Sequence, residues 1–397
     1  MSAAGHVAIV VQRYGPEIAG GAEALARALA ERLVAEREVS VLTTRAVDYV
    51  TWRNELPAGE RRLNGVRVCR FDVEAERNLD EFNALSDRLY AGSPTREEEL
   101  DWLERQGPAV PTLVEALREQ ADRYSAILYF TYLYYPTYWG LRAAPDRSIL
   151  VPTTHDEPPL RFGIFREVFG MPRALAFLTP PEAQLVSERF AIGERPHAVT
   201  GIGIDAPDAT DPDRFKTKHD VLSPYLLYAG RIDAGKGCAE LLAFYERYRR
   251  DVRGAAQLVL IGRLAMPEPR VPGVRYLGYL SEQEKLDAMA GASAVVCPSP
   301  FESLSITLLE ALGLGTPVIA SARSAVLVDH CRRSGAGLFY ADAREFIEAV
   351  ELLVRSGGVA SRMGAAGRRY VDREYRWDVV LGRYRALIDA VASDPAP

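Results

Sequence analysis

A chain of 397 residues exceeds what a single ordinary hydrophobic core organises, so two domains are the default. Hydrophobic residues at 48% and charged residues at 26% are globular values that exclude a disordered chain. A formal net charge of -6 argues against a nucleic-acid partner and gives no general attraction to anionic lipid.

Cys69, Cys238, Cys297 and Cys331 lie far apart with no CxxC, and they read as reduced core residues of a cytosolic protein with neither a disulfide framework nor a metal site. The first apolar run, Val7 to Val11, has no charged leader or small-residue cleavage site beside it and reads as a strand, not a signal peptide. No run approaches the roughly 18 apolar residues that a membrane span needs.

After that strand, Gln12 to Gly21 leads into an Ala- and Leu-rich helix from about Ala22 to Ala35. Gly20 and Gly21 stand at the turn before the helix, where a bare backbone admits a ligand and the helix start adds N–H donors for phosphate or a sugar hydroxyl. Glycines also close ordinary loops. Val39 to Thr43 is the next strand, 44–65 a polar loop, and Val66 to Phe71 a further strand. From Glu74 to Gln106 an acidic stretch with helical spacing reads as a helical insertion. Ala126 to Phe130 is a strand that opens into TYLYYPTYWG, five aromatics in the ten residues 131–140. These either wall an acceptor site by stacking on sugars or belong to the core.

Strand Ile149 to Pro152 ends in Thr153, Thr154, His155, Asp156 and Glu157. A histidine at the end of a parallel strand stands where ligands gather, with a satisfied or capping histidine as the plain alternative. The segment 160–177 interleaves Phe162, Phe165 and Phe169 with Arg161, Arg166 and Arg173, so peripheral contact with a membrane surface enters as a reading. Ala174 to Leu178 and Ala198 to Val199 are the last strands of the first half. The polar run 206–219 carries several Asp and two Pro without periodicity and reads as a linker.

The second half opens with strand Tyr225 to Ala229, then Gly230, Arg231, Ile232, Asp233, Ala234, Gly235, Lys236 and Gly237 before a helix from Ala239. A basic pair in a Gly-rich loop at a helix start suits a diphosphate: Arg231 engages oxygens bidentately and Lys236 adds a second charge. The loop is not a Walker sequence, since GxxxxGK[ST] is absent. Gln257 to Ile261 and Val274 to Leu277 are strands, the second followed by Gly278 and Tyr279. Strand Ala294 to Cys297 then runs into PSPFESLSITLLEALGLGTPVIAS, 298–321, in which a helix opens near Ser303 or Ser305, stops at Gly313 and Gly315, and gives way to strand Pro317 to Ala320. Glu302 lies in the loop before this helix, and Glu310, seven intervening residues on, lies among apolar neighbours where a bare carboxylate would be costly. Gly335 to Tyr340 is a last strand, and the C-terminal helices end over 369–391.

Taken together, the ordered pattern Glu302, Glu310 and G-T-P-V, and the G-R-x-x-x-x-K-G of 230–237, resemble the donor site of GT-B glycosyltransferases of family 4 (glycosyl transferases group 1). The resemblance implies an α/β chain of GT-B fold, two Rossmann-like domains facing each other across a cleft. Its parts are an acceptor-side domain 1–205, joined by the interdomain GIGID of 201–205, a nucleotide-sugar domain 206–375, and a C-terminal helix 376–397 that crosses back. Glu302 then contacts the donor sugar, Glu310 the ribose hydroxyls, Arg231, Lys236 and Gly230 the diphosphate, His155 the donor sugar, Gly20 and Gly21 the phosphates or the acceptor, and Tyr279 the base. Where the family usually has glycines just after the first glutamate, this chain has Ser303, Leu304 and Ser305. The implied activity is retaining transfer of a sugar from a nucleotide-diphosphate sugar to a hydroxyl acceptor. That acceptor is a glycan, lipid-linked or small molecule, as in polysaccharide biosynthesis. No cofactor or metal is expected, since no Asp-x-Asp motif stands at a strand end, and the expected place is the cytoplasm or its membrane face. A GT-B sugar-nucleotide epimerase and a non-catalytic nucleotide-sugar binding protein are the competing readings, and oligomeric state stays open.

Overall fold

The computed structural model of the protein describes residues 5–18, 20–205, 209–254 and 256–393. The chain forms two compact units, Met1–Gly201 together with Leu381–Pro397, and Ile202–Val380.

The first unit runs β1 (Val7–Val10), α1 (Gly21–Leu33), β2 (Val39–Thr44), β3 (Gly59–Leu63), β4 (Val66–Phe71), α2 (Leu79–Tyr90), α3 (Arg96–Gln106), α4 (Pro111–Gln120), β5 (Ala126–Phe130), α5 (Tyr135–Ala143), β6 (Ser148–Val151), α6 (Ile164–Gly170), β7 (Ala174–Phe177), α7 (Pro180–Arg189) and β8 (His197–Val199). Its strands lie in the order β3-β4-β2-β1-β5-β6-β7-β8, and among the described residues only the β3–β4 pair of these strands is antiparallel. Central strands of such a sheet are covered on both faces, which is why VAIV and AILYF are unbroken apolar runs and wholly buried.

Two expectations change here, and one open alternative is decided. The polar loop 44–65 contains β3, whose sequence GERRL shows no apolar alternation because it is an exposed edge strand. Asn64 and Gly65, both at positive φ, close the two-residue turn into β4, and Asn-Gly between two strands was the signal for this hairpin. The aromatic segment is core: Tyr134 and Trp139 pack against the first unit's hydrophobic cluster, and Tyr132 and Tyr138 are buried in it. So are Phe162, Phe165 and Phe169, which removes the apolar face that suggested a membrane contact. Among the described residues no helix is long and apolar enough to cross a membrane.

The second unit runs α8 (Pro212–His219), β9 (Tyr225–Ala229), α9 (Cys238–Asp251), β10 (Gln257–Ile261), β11 (Val274–Tyr276), α10 (Glu282–Gly291), β12 (Ala294–Cys297), α11 (Ile306–Leu314), β13 (Val318–Ser321), α12 (Ala325–Ser334), β14 (Gly337–Tyr340), α13 (Ala343–Arg355), α14 (Gly357–Glu374) and the start of α15 (Trp377–Ser393). Its parallel strands lie in the order β11-β10-β9-β12-β13-β14, the doubly wound arrangement whose direction of winding reverses between β9 and β12. Residues 206–208 of the expected linker lie outside the described residues. The remainder is no linker, because 212–219 is helical. The Asp211 carboxylate accepts from the N–H groups of Asp213 and Arg214, Pro212 occupies the first turn, and Phe215 is buried. All four cysteines are free.

Candidate active site

Strands β9 and β12 are neighbours at the point where winding reverses, so the loops that leave their C-terminal ends open onto the same crevice. One loop is 230–237 and the other is 298–305, which are the two motif segments.

The first loop is rigid by construction. The Gly230 N–H donates to Ile261 O at 3.0 Å, the Ile232 N–H to Arg263 O at 2.8 Å, and the buried Tyr228 hydroxyl to Arg231 O at 2.6 Å. Gly262 has φ 127° and a Cβ there would fall 2.0 Å from Gly230 O, so glycine is required for the two turns to touch. The Asp233 carboxylate accepts from the Lys236 N–H at 2.8 Å and from the Arg231 guanidinium, folding the loop back on itself.

Two contacts bring the loops together. Lys236 Nζ stands 2.8 Å from Glu302 Oε1, their side chains 36% and 17% exposed. Gly237, at φ 76°, passes so close to the other loop that a Cβ would lie 2.2 Å from Pro298 O. At the first turn of α11, the Thr307 hydroxyl donates to Ala229 O at 3.4 Å, tying that helix to the end of β9.

Ser305 caps α11 with φ 74° and ψ 83° and no side-chain cap bond, a left-handed residue where a Cβ is resisted. It occupies the stretch where the resembling family carries glycine, so the backbone retains a glycine-like path without glycine. Leu304 is buried and Ser303 half-buried. The helix ends at Gly315, φ 76°, as the sequence implied, while Gly313 stays inside it.

Glu310 is on α11, and burial raises its carboxyl pKa while the Lys285 ammonium, 2.8 Å away, opposes the rise. Burial works against charge on Lys285 as well, but Glu310 and Glu282 together hold its ammonium above the usual lysine value. Lys285 was missed in the sequence because nothing in SEQEKL links it to an acid 25 residues away. Tyr279 stands 83% exposed beyond β11.

The remaining candidates belong to the first unit. Gly20 and Gly21 are exposed at the start of α1, after β1, with the Arg13 guanidinium on Glu23 Oε1 at 2.6 Å beside them. His155 follows β6, its Nε2 3.5 Å from Glu157 Oε2, and Glu157 accepts the Tyr132 hydroxyl at 2.9 Å through its other oxygen. Burial raises the Glu157 carboxyl, with His155 and Tyr132 working against the rise. The sequence reading overlooked Glu182, wholly buried on α7. Its two oxygens accept the N–H of Thr154 and of Leu178, both at 2.5 Å, which fixes the strand end that carries His155. Burial pushes its carboxyl up to about 8 against three backbone N–H groups. Thr179-x-x-Glu182 was its signal, a helix-start pattern whose acid accepts from the backbone of its own cap and of Leu178 and also reaches across to Thr154.

Residues 223–356 match the family model described as Glycosyl transferases group 1. Alpha-maltose-1-phosphate synthase of Mycobacterium tuberculosis is 30% identical over 176 residues, 39% of this chain and 44% of that protein. The matched stretch therefore spans less than half of that relative's length. Phosphatidyl-myo-inositol mannosyltransferase of Mycobacterium leprae is 27% identical over 280 residues, 64% of this chain and 70% of that protein. Among solved structures, HepE of Anabaena in complex with UDP and glucose is similar over 98% of this chain and 99% of its own, at 14% identity and a TM-score of 0.68. At that identity the likeness is one of fold.

Proposed function

We propose that the protein is a glycosyltransferase that moves a hexosyl group from a nucleotide-diphosphate sugar to a hydroxyl acceptor, a reading supported by the match of residues 223–356 to the glycosyl transferases group 1 model and by two units that share the GT-B fold of the solved structures. The observation that carries the reading is the 2.8 Å pair of Lys236 and Glu302. A cation suited to phosphate and an acid suited to a sugar hydroxyl, 66 residues apart, meet at the reversal point of the sheet.

In this proposal the second unit is the donor-binding domain. Arg231 and Lys236 exchange Asp233 and Glu302 for diphosphate oxygens when the donor arrives, and the released Glu302 takes the sugar hydroxyls. Glu310 binds the ribose hydroxyls, with Lys285 keeping it ionised, and Tyr279 offers its exposed ring to the base. As the bond from the anomeric carbon to the phosphate oxygen breaks, charge grows on the leaving diphosphate and the basic pair stabilises it there. The acceptor oxygen bonds to the anomeric carbon on the same face and its proton passes to the leaving phosphate, so configuration is retained with no metal in the step. The first unit is the acceptor-side domain, and Gly20, Gly21 and His155 are its candidate residues. A glycan, lipid-linked or small-molecule acceptor suits this chemistry, and a cytoplasmic setting suits the free thiols.

A thermal-shift screen of UDP, GDP, ADP and dTDP sugars tests the donor half. A ligand at about 100 times its dissociation constant adds roughly 2.7 kcal/mol, and Lys236→Ala and Glu310→Gln should each abolish the shift in a folded protein. Retention of the shift by both variants would remove the site assignment. Binding without turnover across an acceptor panel would favour a binding protein, and conversion of the labelled donor to an epimer without acceptor would favour the epimerase.

A further inference from the structure

Behind the donor loop, α12 carries His330, which is wholly buried. Its Nε2 lies 2.9 Å from Leu304 O and its Nδ1 2.9 Å from the Tyr370 hydroxyl. A carbonyl only accepts, so Nε2 bears the hydrogen, and in a neutral ring Nδ1 is left to accept from Tyr370. The Tyr370 hydroxyl in turn lies 3.3 Å from that of Tyr375, which donates to it. Burial holds the ring neutral, drawing its pKa down to about 4. The chain of donors runs one way, from Tyr375 through Tyr370 and His330 to Leu304. It starts beside the segment 202–205, because the Ile204 N–H donates to Tyr375 O at 2.7 Å.

We propose that His330 is a positioning residue for the donor loop, fixing the Leu304–Ser305 peptide so that the Ser305 N–H is offered at the start of α11. The donor role rests on the function proposed above. In a trans peptide the C=O and N–H point in opposite directions, so a carbonyl drawn inward by His330 turns the next N–H outward. Ser305 sits in a left-handed conformation that its side chain resists, and burial of Leu304 with the His330 bond holds it there. Glu302 stands two residues before Leu304, so release of that peptide frees the segment carrying the acid paired with Lys236.

Two variants of the full-length protein separate positioning from general stability. His330→Gln keeps an amide donor near the place of Nε2, whereas His330→Asn keeps one near Nδ1 and withdraws it from Leu304. Hydrogen exchange of the peptide covering 303–306 should accelerate about tenfold in His330→Asn and stay near wild type in His330→Gln, the loss expected of one buried hydrogen bond. Tyr370→Phe frees Nδ1 and the ring tautomer, and should speed the same exchange even if the asparagine variant folds poorly. With a nucleotide sugar, kcat/KM for the donor should fall about tenfold in His330→Asn, with the acceptor KM unchanged and recovery in the glutamine variant. Wild-type exchange rates in both His330→Asn and Tyr370→Phe, or equal kinetic losses in the glutamine and asparagine variants, would overturn the proposal. A wild-type protein that binds no nucleotide sugar would overturn the functional reading, and with it the donor role, while the exchange result still reports on the loop.

Discussion

His330 and Ser305 show stabilisation and strain side by side, a buried histidine that supports a loop and a left-handed serine in that loop. The folded His330 has a pKa of about 4 against the ordinary 6.5, so as pH falls the unfolded chain takes up the proton first. Its contribution is therefore complete above about pH 6.5 and is lost progressively toward pH 4, by up to about 3 kcal/mol. Denaturant midpoints across that range should fall further for wild type than for His330→Gln; parallel profiles would refute the assignment of this titration to His330. Ser305 carries the opposite account, a left-handed backbone at φ 74° without glycine. Ser305→Gly should stabilise by up to about 1 kcal/mol in equilibrium unfolding, because relief of the Cβ clash outweighs the entropy glycine adds to the unfolded chain.

The two motif segments are loops that approach each other as backbones. Gly237 is the contact point, and its missing Cβ leaves room for Pro298 O. Gly237→Ala should destabilise the second unit by about 2 kcal/mol or more and weaken nucleotide-sugar affinity together, since either the loops separate or the positive φ is lost. An alanine variant with unaltered melting and affinity would show that the loops do not need this contact. Helix α8 makes a related point, because its capping Asp211, its Pro212 and its single buried Phe215 hold helical a stretch that lacks apolar periodicity.

For the whole molecule, the last helix is divided between the units, with Leu381 and the residues after it clustering with the first. Tyr384 and Ile388 are fully buried, and the Tyr384 hydroxyl reaches Gly201 O at 3.5 Å. Tyr384→Ala should therefore cost about 3–5 kcal/mol and lower the calorimetric transition of the first unit, although the substitution lies at the far end of the sequence.

Much of this architecture was legible without coordinates, because strands buried on both faces are written as unbroken apolar runs and the glycines and acids of the two motif segments keep fixed spacings. Sequence alone determined the parallel strands, the insertion helices α2 and α3, and the pairing of a basic loop with a second loop and helix that carry one acid each as the place to look. Only the tertiary structure decided the rest. The exposed strand β3 and the capped helix α8 lack periodic apolar faces, and the aromatic segments left a surface reading open beside the core one until their burial was known. Lys285 on Glu310, Glu182 on Thr154 and His330 on Leu304 join residues that the chain separates by 25 or more positions, and each is compelled by burial of a polar group that had to find a partner.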